Sequence, residues 1–526
     1  MRGLQAQPLM HEPVFAMAER RPADVAIEAD GHCWTYGDLV RQVRGLTVLL
    51  REKGVRPGDV VAISGSRSPQ LVTAILAMSA LRAVFVVLDP LQPRQRLAHI
   101  QAVVGASTVL DVHGTPRTGR RGTGEDESVS VTAVPRRPGA FGGGSAAVSD
   151  VLGVRGGARA ADPDAYVAFT SGTTSVRGVV GSHAPVSNYL RWSIATFGHG
   201  RSSRFALMAG LSHDPLLWDI LTPLWCGGRL TVPQPATWAD PERLVRWLRA
   251  SAVSGIHITP RVGRAIAGVA GPGELACLRH ALFGGDVLLW DDVRAFTRIA
   301  PSARLINCYG ATETPQVAAC YPVAGQAGPP AADDAAVPIG WPIEGWELEL
   351  SAAGEIIAQS AYLSRGYHND PEETRRRYSR GSDGRVRYRT GDLGARLPDG
   401  SIAFLGRADR QVKVGGMRVE PAELEAHLRT HPQIADAAVV PAVRCRGEYR
   451  PLSSAGHRGH DLVLAAYVVP AAGASPLPGG REVRTFLAKR VPVAAVPVAV
   501  RNIPGIPLTP NGKLDVAALL PVKEKQ

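Results

Sequence analysis

Five consecutive residues, Tyr309-Gly310-Ala311-Thr312-Glu313, combine side chains that suit a nucleotide. The aromatic ring can stack on a base, the glycine lets a backbone approach closely, and the threonine can donate to phosphate. The glutamate can hold Mg²⁺, a hard cation that prefers oxygen ligands. They follow Arg304–Cys308, a short apolar run typical of a buried parallel strand, and open α/β sheets bind ligands where such strands end. The alternative is an ordinary strand-to-loop turn with a surface glutamate.

A second stretch has the composition of a phosphate-binding loop. The apolar run Tyr166–Phe169 leads into Thr170-Ser171-Gly172-Thr173-Thr174-Ser175-Val176-Arg177-Gly178. The N–H and O–H groups of such a loop can surround a phosphate. The pattern G-x-x-x-x-G-K-[ST] of the Walker loop is absent from it. Taken alone, this segment could also be a common loop rich in serine and threonine.

The two stretches in this order resemble two motifs of the adenylate-forming superfamily, which includes nonribosomal peptide synthetase adenylation domains, acyl-CoA synthetases and luciferases. The resemblance covers nearly the whole chain. It implies an α/β and α+β fold. A large N-terminal domain, residues 1–406, would hold two α/β sheets and a small β-rich subdomain. A small mobile α+β domain, residues 407–526, would follow.

Length and composition agree with a globular protein of more than one domain. The chain has 526 residues, of which 45% are hydrophobic and 20% charged, and this length exceeds what one core normally holds. No apolar run is long enough for a membrane helix, and the N-terminus lacks the apolar core of a signal peptide. The six scattered cysteines favour free thiols in a reducing compartment. We therefore expect a cytoplasmic protein without a membrane partner.

The net charge of +12 raises the question of nucleic acid. The arginines that produce it are spread along the chain, and no module of alternating aromatic and basic residues is recognisable. We therefore expect no nucleic-acid partner.

Several segments are expected to form the scaffold. Thr35, with Asp38 in the following turn, predicts a helix start. Val60–Ile63 and Ala83–Leu88 predict buried strands. Residues 113–162, rich in Arg, Gly, Ser and Pro, indicate a surface excursion of low order.

The resemblance implies an ATP site, residue by residue. Asp392, which we predict to end a strand, would accept both ribose hydroxyls, because an ionised carboxylate has only acceptor sites. Arg177 replaces a lysine of the family's loop, which is one residue shorter here, and keeps its positive charge. The ATP-binding residues would be Thr170, Ser171, Gly172, Thr173, Thr174, Arg177, Asn307, Tyr309, Gly310, Ala311, Thr312, Asp392 and Arg407, with Glu313 as the Mg²⁺ ligand.

The substrate pocket is implied in the same way. In amino-acid-activating members the residue matching Asp214 pairs with the substrate's amino group. A carboxylate in an apolar pocket binds an ammonium and rejects uncharged acyl groups. The pocket would be lined by Asp214, Pro215, Trp218, His257, Ala281, Phe283, Gly284, Cys308, Gln316 and Val317.

The segment His213–Leu224 resembles the adenylation domain of fungal α-aminoadipate reductase more than it resembles the common Phe-Asp-x-Ser type. That enzyme has an arginine where this chain has Trp218, so aminoadipate itself is not expected. Trp218 and Phe283 occupy volume and favour a small side chain. Serine is favoured because His257 or Gln316 could bond its hydroxyl, and alanine, glycine, threonine and β-alanine are the alternatives.

The C-terminal part resembles the family's mobile domain. Gly406–Lys413 matches the hinge motif, with Asp409 as the hinge residue and Lys413 among the catalytic residues. The loop Gly415–Glu420 would face a thiol acceptor, and a helix, two strands and, between the strands, a polar loop (residues 444–459) would follow. Lys513, after the Asn-Gly turn, matches the catalytic lysine of the family.

The function implied is ATP-dependent activation of a small amino acid as aminoacyl-AMP. Transfer to the phosphopantetheine thiol of a peptidyl or acyl carrier protein in trans would follow, as in natural-product biosynthesis. The resemblance leaves open whether a small activator protein of the MbtH type takes part. The alternatives are an acyl- or aryl-CoA synthetase of the same fold, and a non-catalytic binding protein that has kept the fold.

Overall fold

The computed structural model of the protein describes residues 7–106, 108–112, 129–133, 162–169, 177–323, 335–381, 385–408, 412–415, 417–445, 447–452, 462–471, 478–507 and 514–523. Within these ranges the α-helices are α1 (Glu12–Arg20), α2 (Tyr36–Glu52), α3 (Pro69–Leu81), α4 (Arg94–Val104), α5 (His183–Phe197), α6 (Leu216–Trp225), α7 (Pro235–Trp238), α8 (Pro241–Ala250), α9 (Pro260–Val269), α10 (Trp290–Ile299), α11 (Pro371–Arg377), α12 (Pro421–Arg429) and α13 (Gly480–Ala488).

The strands of the first part of the chain are β1 (Val25–Ala29), β2 (His32–Thr35), β3 (Val60–Gly65), β4 (Val84–Leu88), β5 (Thr108–Val112), β6 (Val129–Ala133), β7 (Asp164–Phe169), β8 (Gly178–Ser182), β9 (Arg204–Ala206), β10 (Arg229–Val232), β11 (Gly255–Ile258), β12 (His280–Phe283), β13 (Arg304–Ala311), β14 (Thr314–Pro322) and β15 (Trp341–Pro342). Those that follow are β16 (Trp346–Leu350), β17 (Glu355–Ser360), β18 (Tyr378–Arg380), β19 (Val386–Arg396), β20 (Ile402–Arg407), β21 (Val412–Val414), β22 (Met417–Val419), β23 (Ile434–Cys445), β24 (Glu448–Pro451), β25 (Val463–Pro470), β26 (Ala499–Asn502) and β27 (Val522–Lys523).

Two large sheets, parallel at their centres, form the first part of the chain. One has nine strands in the order β15-β14-β13-β12-β11-β9-β10-β1-β2, and the other has six in the order β6-β5-β3-β4-β7-β8. Antiparallel pairs close both ends of each sheet. The mainly parallel interior explains why strands such as β4 are buried along their whole length.

Local sequence explains where the elements begin. At the start of α2 the Thr35 hydroxyl accepts from the Asp38 N–H at 3.1 Å, and the Thr35 N–H donates to the Asp38 carboxylate at 3.1 Å. This reciprocal capping box confirms the predicted helix start. The predicted strands at Val60–Ile63, Ala83–Leu88 and Tyr166–Phe169 are confirmed as β3, β4 and β7.

The main core lies between the two large sheets. Helix α3 is buried nearly all round, and α2, α5 and α6 bury apolar faces in the same cluster. Separate clusters cover the outer faces of the two sheets, with α8, α9 and α10 on the larger sheet and α4 on the smaller. The helices therefore form layers on both faces of each sheet, as expected for an α/β domain.

Three smaller sheets follow along the chain. An antiparallel subdomain has β16-β17-β19-β18, with β20 also on β19, and β21 and β22 form a hairpin. A last sheet, β26-β25-β23-β24-β27, packs with α12 and α13. Arg407 still belongs to β20, opposite Asp392. The division of domains at 406/407 and the mobility of the second domain stay predictions.

Two loop predictions need correction. Strand β6 lies inside the predicted excursion and pairs with β5, because Val129, Val131 and their neighbours alternate as a strand does. Residues 444–451 were predicted as a polar loop, but β23 continues to Cys445 and turns into β24. Polar side chains are compatible with a strand whose outer face meets water.

Among the described residues, no helix is both long enough and apolar enough to cross a membrane.

Candidate active site

The motif Tyr309–Glu313 lies in a β-hairpin. The predicted parallel strand is confirmed, but β13 runs on to Ala311 and turns directly into β14. The Ala311 N–H donates to the Thr314 hydroxyl at 2.8 Å, which closes the turn. Gly310 is required for this packing, because a Cβ there would lie 2.6 Å from the Gln316 carbonyl oxygen. The hairpin brings the motif and Gln316 to one cavity.

This cavity encloses about 820 Å³, part of it open to solvent. Most of the predicted site residues that the structure describes line this cavity. Its lining includes His213, Asp214, Pro215, Trp218, Gly284, Gly285, Cys308, Gly310, Ala311, Thr312, Glu313, Gln316, Asp392, Arg407, Lys413 and Arg418.

Glu313 is 1% exposed and lies between β13 and β14. Its Oε1 accepts from the Tyr367 hydroxyl at 2.7 Å and from Arg418 Nη1 at 3.3 Å. Burial alone would raise the pKa of Glu313, but Arg418 and Tyr367 outweigh it and lower that pKa. A charged carboxylate is therefore stable there.

The second oxygen of Glu313, Oε2, is buried and has no hydrogen-bond partner in the described part of the chain. A buried anionic oxygen without a donor fits a hard cation such as Mg²⁺. The described residues contain no group of three or more His, Cys, Asp and Glu arranged to hold a metal. Magnesium is commonly held by one or two carboxylates together with substrate phosphates, so a single glutamate suffices.

Asp392 was predicted to end a strand, but it lies inside β19, which continues to Arg396 in its pairing with β20. Each of its carboxylate oxygens has a partner. The Tyr309 hydroxyl donates to Oδ2 at 2.7 Å, and Arg407 Nη1 donates to Oδ1. Both predicted ribose residues and the predicted base-stacking residue therefore lie together. An ionised carboxylate has about four acceptor positions, so Asp392 can still accept from a ligand.

A smaller adjoining cavity of about 440 Å³ lies beside Tyr309 and Asn307. The side-chain amide of Asn307 donates to the carbonyls of Val337 and Pro338, at 3.2 and 2.9 Å. Its amide nitrogen is therefore engaged by the backbone, and the amide oxygen is the atom that remains to accept from a base. Phe404 and Lys413 complete the walls.

Asp214 is a buried carboxylate without an ion pair in the described part of the chain. The Gln316 N–H donates to Oδ2 at 3.2 Å, and Gln316 Nε2 is 3.5 Å from the same oxygen. Burial raises the pKa of Asp214 to about 7, against the opposing effect of the Gln316 N–H. The carboxylate is thus poised to gain from a cation that enters the cavity.

Gln316 itself has a left-handed backbone, with φ of +71°. This conformation is uncommon for a residue with a side chain and is found enriched at functional sites. It turns the Gln316 N–H toward Asp214, while the side-chain Oε1 is buried without a hydrogen bond among the described residues.

Trp218 lies in the first turn of α6 and forms a wall of the cavity. Its ring contacts His257 at 4.8 Å between centroids. His257 Nδ1 is 2.6 Å from an oxygen of Asp219, and His257 Nε2 is 3.4 Å from the Tyr189 hydroxyl. His257 therefore lies behind Trp218, and its ring nitrogens already have protein partners.

The wall behind Trp218 is a closed ring of aromatic side chains. Successive centroids lie between 4.8 and 6.0 Å apart. In order around the ring, its members are Trp218, Tyr189, Trp192, Phe197, His199, Phe205 and His257.

The structure separates the predicted substrate residues into two groups. Asp214, Pro215, Trp218, Gly284, Cys308 and Gln316 line the cavity. His257, Ala281, Phe283 and Val317 are buried and are not part of the lining that the described residues form. Ala281 and Phe283 pack in the cluster on the outer face of the larger sheet. Their roles as substrate contacts stay predictions.

The hairpin β21–β22 reaches the cavity with Lys413 and Arg418. Burial lowers the pKa of Lys413. Gly415, in the turn of the hairpin, has φ of +60° and packs against Arg261, whose Nη1 would lie 3.1 Å from a Cβ at this position. The hairpin is thus docked closely on the first part of the chain.

Arg177 lies apart from this cavity, with Nη1 3.5 Å from Glu373 of α11. Glu373 also accepts from Arg376 at 2.7 Å and from Arg377 Nε at 3.2 Å. Three guanidinium groups therefore share one carboxylate. Thr170, Ser171, Gly172, Thr173, Thr174, Asp409 and Lys513 lie outside the described residues, so their predicted roles are not addressed by the geometry.

Sequence reasoning did not assign Arg418, Tyr367, Glu373 or Asp219 to the site. Arg418 was part of the predicted acceptor loop, and its charge in a loop that begins with two glycines was the available signal. Nothing in the sequence pairs it with Glu313, which is 105 positions away.

Comparison with known proteins defines the class. A family model described as AMP-binding enzyme matches residues 14–368. The chain belongs to this family, the adenylate-forming superfamily that the motifs predicted, and it is an adenylate-forming ligase of the nonribosomal peptide synthetase type.

The chain is similar to parts of much longer proteins. It is 32% identical over 521 residues to a probable non-canonical nonribosomal peptide synthetase, CymA, of Salinispora arenicola, with 96% of this chain and 6% of that protein covered. Phenyloxazoline synthase MbtB of Mycobacterium sp. is also 32% identical, with 97% and 42% covered. The chain therefore spans less than half of either relative. The narrower resemblance to α-aminoadipate reductase stays a prediction.

A solved structure shares the fold. PA1221, a synthetase protein with adenylation and PCP domains crystallised with a vinylsulfonamide inhibitor, superposes with a TM-score of 0.74 at 26% identity. The match covers 98% of this chain and 84% of that one. The predicted fold class is thereby confirmed.

Proposed function

We propose that the protein activates a small amino acid with ATP as aminoacyl-AMP and passes it to the phosphopantetheine thiol of a carrier protein. The observation that carries this proposal is Asp214. It is 7% exposed, faces the cavity, and has neutral hydrogen-bond donors but no cation from the described chain. A substrate ammonium would supply the missing charge, whereas an uncharged acyl chain would leave it uncompensated.

In the first step an oxygen of the amino acid's carboxylate attacks the α-phosphorus of ATP. The new O–P bond forms as the bond to the β-phosphate oxygen breaks, and pyrophosphate leaves with those electrons. Carboxylates are weak nucleophiles, so positioning and neutralisation of charge account for most of the rate. Asp214 would orient the amino group, and Asp392 and Arg407 the ribose. Mg²⁺ held by Glu313 would neutralise phosphate charge.

Lys513 would bridge the attacking carboxylate and the phosphate in this step, as the family motif implies. In the second step the thiol gives up its proton to solvent and its sulfur attacks the carbonyl carbon of the mixed anhydride. The new C–S bond forms as the C–O bond to the phosphate breaks, and AMP leaves with those electrons. Lys513→Ala is expected to depress aminoacyl-AMP formation and to spare thioester formation from preformed aminoacyl-AMP. Equal loss of both steps would contradict the assignment.

The side chain accepted is proposed to be small. Trp218 fills the wall next to Asp214, and the buried Gln316 Oε1 has no donor among the described residues. A serine or threonine hydroxyl would provide that donor. MbtB, by its name, forms an oxazoline, a ring whose nitrogen and oxygen sit on adjacent carbons, as they do in serine and threonine. This similarity also favours a hydroxyl-bearing substrate.

The test is ATP–pyrophosphate exchange by the purified protein, measured with the proteinogenic amino acids, β-alanine and α-aminoadipate. Exchange that depends on one small amino acid is expected. Activity with CoA and a fatty or aromatic acid, without exchange for any amino acid, would instead establish an acyl-CoA synthetase.

A further inference from the structure

Three tyrosine side chains pack together beside Glu313. Tyr367, Tyr378 and Tyr388 are 3%, 1% and 0% exposed. The ring centroids of Tyr367 and Tyr378 lie 6.2 Å apart, and those of Tyr378 and Tyr388 lie 4.9 Å apart. Burial raises the pKa of each phenol. Each hydroxyl therefore keeps its proton and has one hydrogen bond to donate.

The hydroxyls of this cluster are used differently. The Tyr367 hydroxyl donates to Oε1 of Glu313 at 2.7 Å. The Tyr378 hydroxyl lies 2.5 Å from the hydroxyl of Ser364 and bonds to it. Two neighbouring phenols thus differ in one respect, because one holds the buried carboxylate and the other holds a neutral side chain.

The position of Tyr367 is fixed from its own backbone. The Tyr367 N–H donates to the Thr374 hydroxyl at 3.1 Å, within the segment that leads into α11. The preceding residue, Gly366, accepts at 3.0 Å from the N–H of Val180 in β8. The phenol is therefore held between two elements of the fold, and its hydroxyl reaches Glu313 from a rigid support.

The two oxygens of Glu313 consequently offer different sites to a cation. Oε1 accepts from Tyr367 at 2.7 Å and from Arg418 Nη1 at 3.3 Å. Oε2 is buried and has no hydrogen-bond partner in the described part of the chain. Because each carboxylate oxygen has about two acceptor positions, Oε1 is already occupied and Oε2 is open.

The number of open oxygens bears on which cation fits. Ca²⁺ takes more oxygen ligands than Mg²⁺ and can use both oxygens of one carboxylate. Mg²⁺ requires a nearly ideal octahedron, keeps several waters, and is bound through one or two carboxylates together with substrate phosphates. A glutamate with one open oxygen therefore suits Mg²⁺ better than Ca²⁺.

We propose that Tyr367 is a positioning residue that sets the metal selectivity of the site. Its hydroxyl occupies Oε1 of Glu313 and makes this glutamate a one-oxygen ligand, which favours Mg²⁺ over Ca²⁺. The proposal rests on the proposed function, in which a metal complex of ATP is the substrate. It deepens that function because it assigns the choice of metal to a residue behind the lining that the described residues form.

The test measures nucleotide binding rather than turnover. The α,β-methylene analogue of ATP, in which the bond that would break is blocked, is titrated calorimetrically into the full chain. It is added as its magnesium complex, as its calcium complex, and metal-free in EDTA. The wild-type chain is expected to bind the magnesium complex about tenfold more tightly than the calcium complex.

In Tyr367→Phe this preference for magnesium should fall at least about threefold, because Oε1 loses one of its two donors and becomes open to the metal. The dissociation constant for the metal-free nucleotide should stay unchanged. An unchanged preference would make the Tyr367 hydroxyl a structural group. An equal weakening of all three forms would assign it to the nucleotide site itself, and either result would overturn the proposal.

Tyr378→Phe is the matched control. It removes a hydroxyl from the same cluster, but that hydroxyl bonds Ser364 rather than Glu313. The preference for the magnesium complex should therefore stay at its wild-type value. A loss as large as that of Tyr367→Phe would show that packing of the cluster, and not the bond to Glu313, determines the selectivity.

A further variant keeps the test informative if Tyr367→Phe does not fold. Thr374→Val retains all three phenols but removes the acceptor of the Tyr367 N–H. The Tyr367 hydroxyl is then held less firmly, so the preference for magnesium should fall in the same direction, and an unchanged preference would refute the proposal. Failure of the proposed function would be separate, because the wild-type chain would then keep its preference for the magnesium nucleotide but show no amino-acid-dependent exchange.

Discussion

Asp214 and Glu313 are two buried carboxylates that face the same cavity, yet their environments are opposite. Asp214 receives only neutral donors from Gln316, and burial raises its pKa to about 7. Glu313 is buried at least as deeply, but Arg418 and Tyr367 bring its pKa below the ordinary value. The negative charge of Glu313 is compensated by the chain itself, whereas that of Asp214 would be compensated by a ligand.

The different environments of Asp214 and Glu313 indicate different tasks for the two carboxylates. A carboxylate that already has a guanidinium partner contributes to holding the docked hairpin. A carboxylate that lacks one gains most when an ammonium arrives, and so it selects the substrate. Substitution by the neutral amide should therefore have opposite consequences at the two positions.

Asp214→Asn gives the largest expected effect on catalysis. Loss of a buried partner for an ammonium costs roughly 3 kcal/mol, so kcat/KM for the amino acid should fall on the order of 100-fold. The amide oxygen can still accept from Gln316, and a desolvated carboxyl group is removed, so the thermal midpoint should stay the same or rise. ATP–pyrophosphate exchange kinetics measure the change in kcat/KM, and scanning calorimetry measures the change in thermal midpoint. A lower midpoint with unchanged kcat/KM would assign Asp214 a structural role.

Glu313→Gln should act mainly on stability and metal use. It leaves the half-buried Arg418 without its anion, which costs about 2 kcal/mol and lowers the thermal midpoint. The Mg²⁺ concentration needed for half-maximal exchange should rise. Scanning calorimetry of this variant beside Asp214→Asn tests the comparison directly, and a shift of the same sign in both would refute it.

The pH dependence of substrate binding should report Asp214. With a raised pKa of about 7, the carboxyl group is mostly protonated at pH 6 and mostly ionised at pH 8. The ammonium binds the ionised form, so KM for the amino acid should rise about tenfold per pH unit below 7 and level off above it. KM for ATP serves as the internal control. In Asp214→Asn the dependence should disappear, and its persistence would locate the titration elsewhere.

Gln316→Ala should give the smallest effect. It removes the weak contact from Nε2 but keeps the backbone N–H that donates to Asp214. KM for the amino acid should rise about threefold, with kcat unchanged, because one neutral hydrogen bond contributes little net energy. A hydroxyl-bearing substrate should lose more than alanine does, and steady-state exchange with both amino acids measures the ratio.

The sequence predicted the parts of the site that depend on order along the chain. The strands before Tyr309 and after Asp164, the capped helix at Thr35 and the meeting of Glu313, Asp392 and Asp214 at one cavity follow from motifs and strand ends. These features depend on local propensity and on the position of the carboxyl ends of parallel strands at one edge of the sheet.

The remaining features depend on long-range packing. His257 was assigned to the pocket, but β11 is buried on both faces, so its pattern does not tell which face meets a cavity. In the structure the ring turns toward Asp219. The pairing of Arg418 with Glu313 depends on how one part of the chain docks on another, which the local pattern of neither segment encodes.

Trp218, in the ring of aromatic side chains at the cavity, provides an intrinsic fluorescence probe of ligand binding. Trp218 is one of nine tryptophans. Its indole lines the cavity and contacts the imidazole of His257. Its buried N–H has no acceptor among the described residues, so a ligand that settles beside it changes the polarity around the fluorophore. Emission that differs between the native protein and a Trp218→Phe variant would follow occupancy of the cavity in real time, without any label.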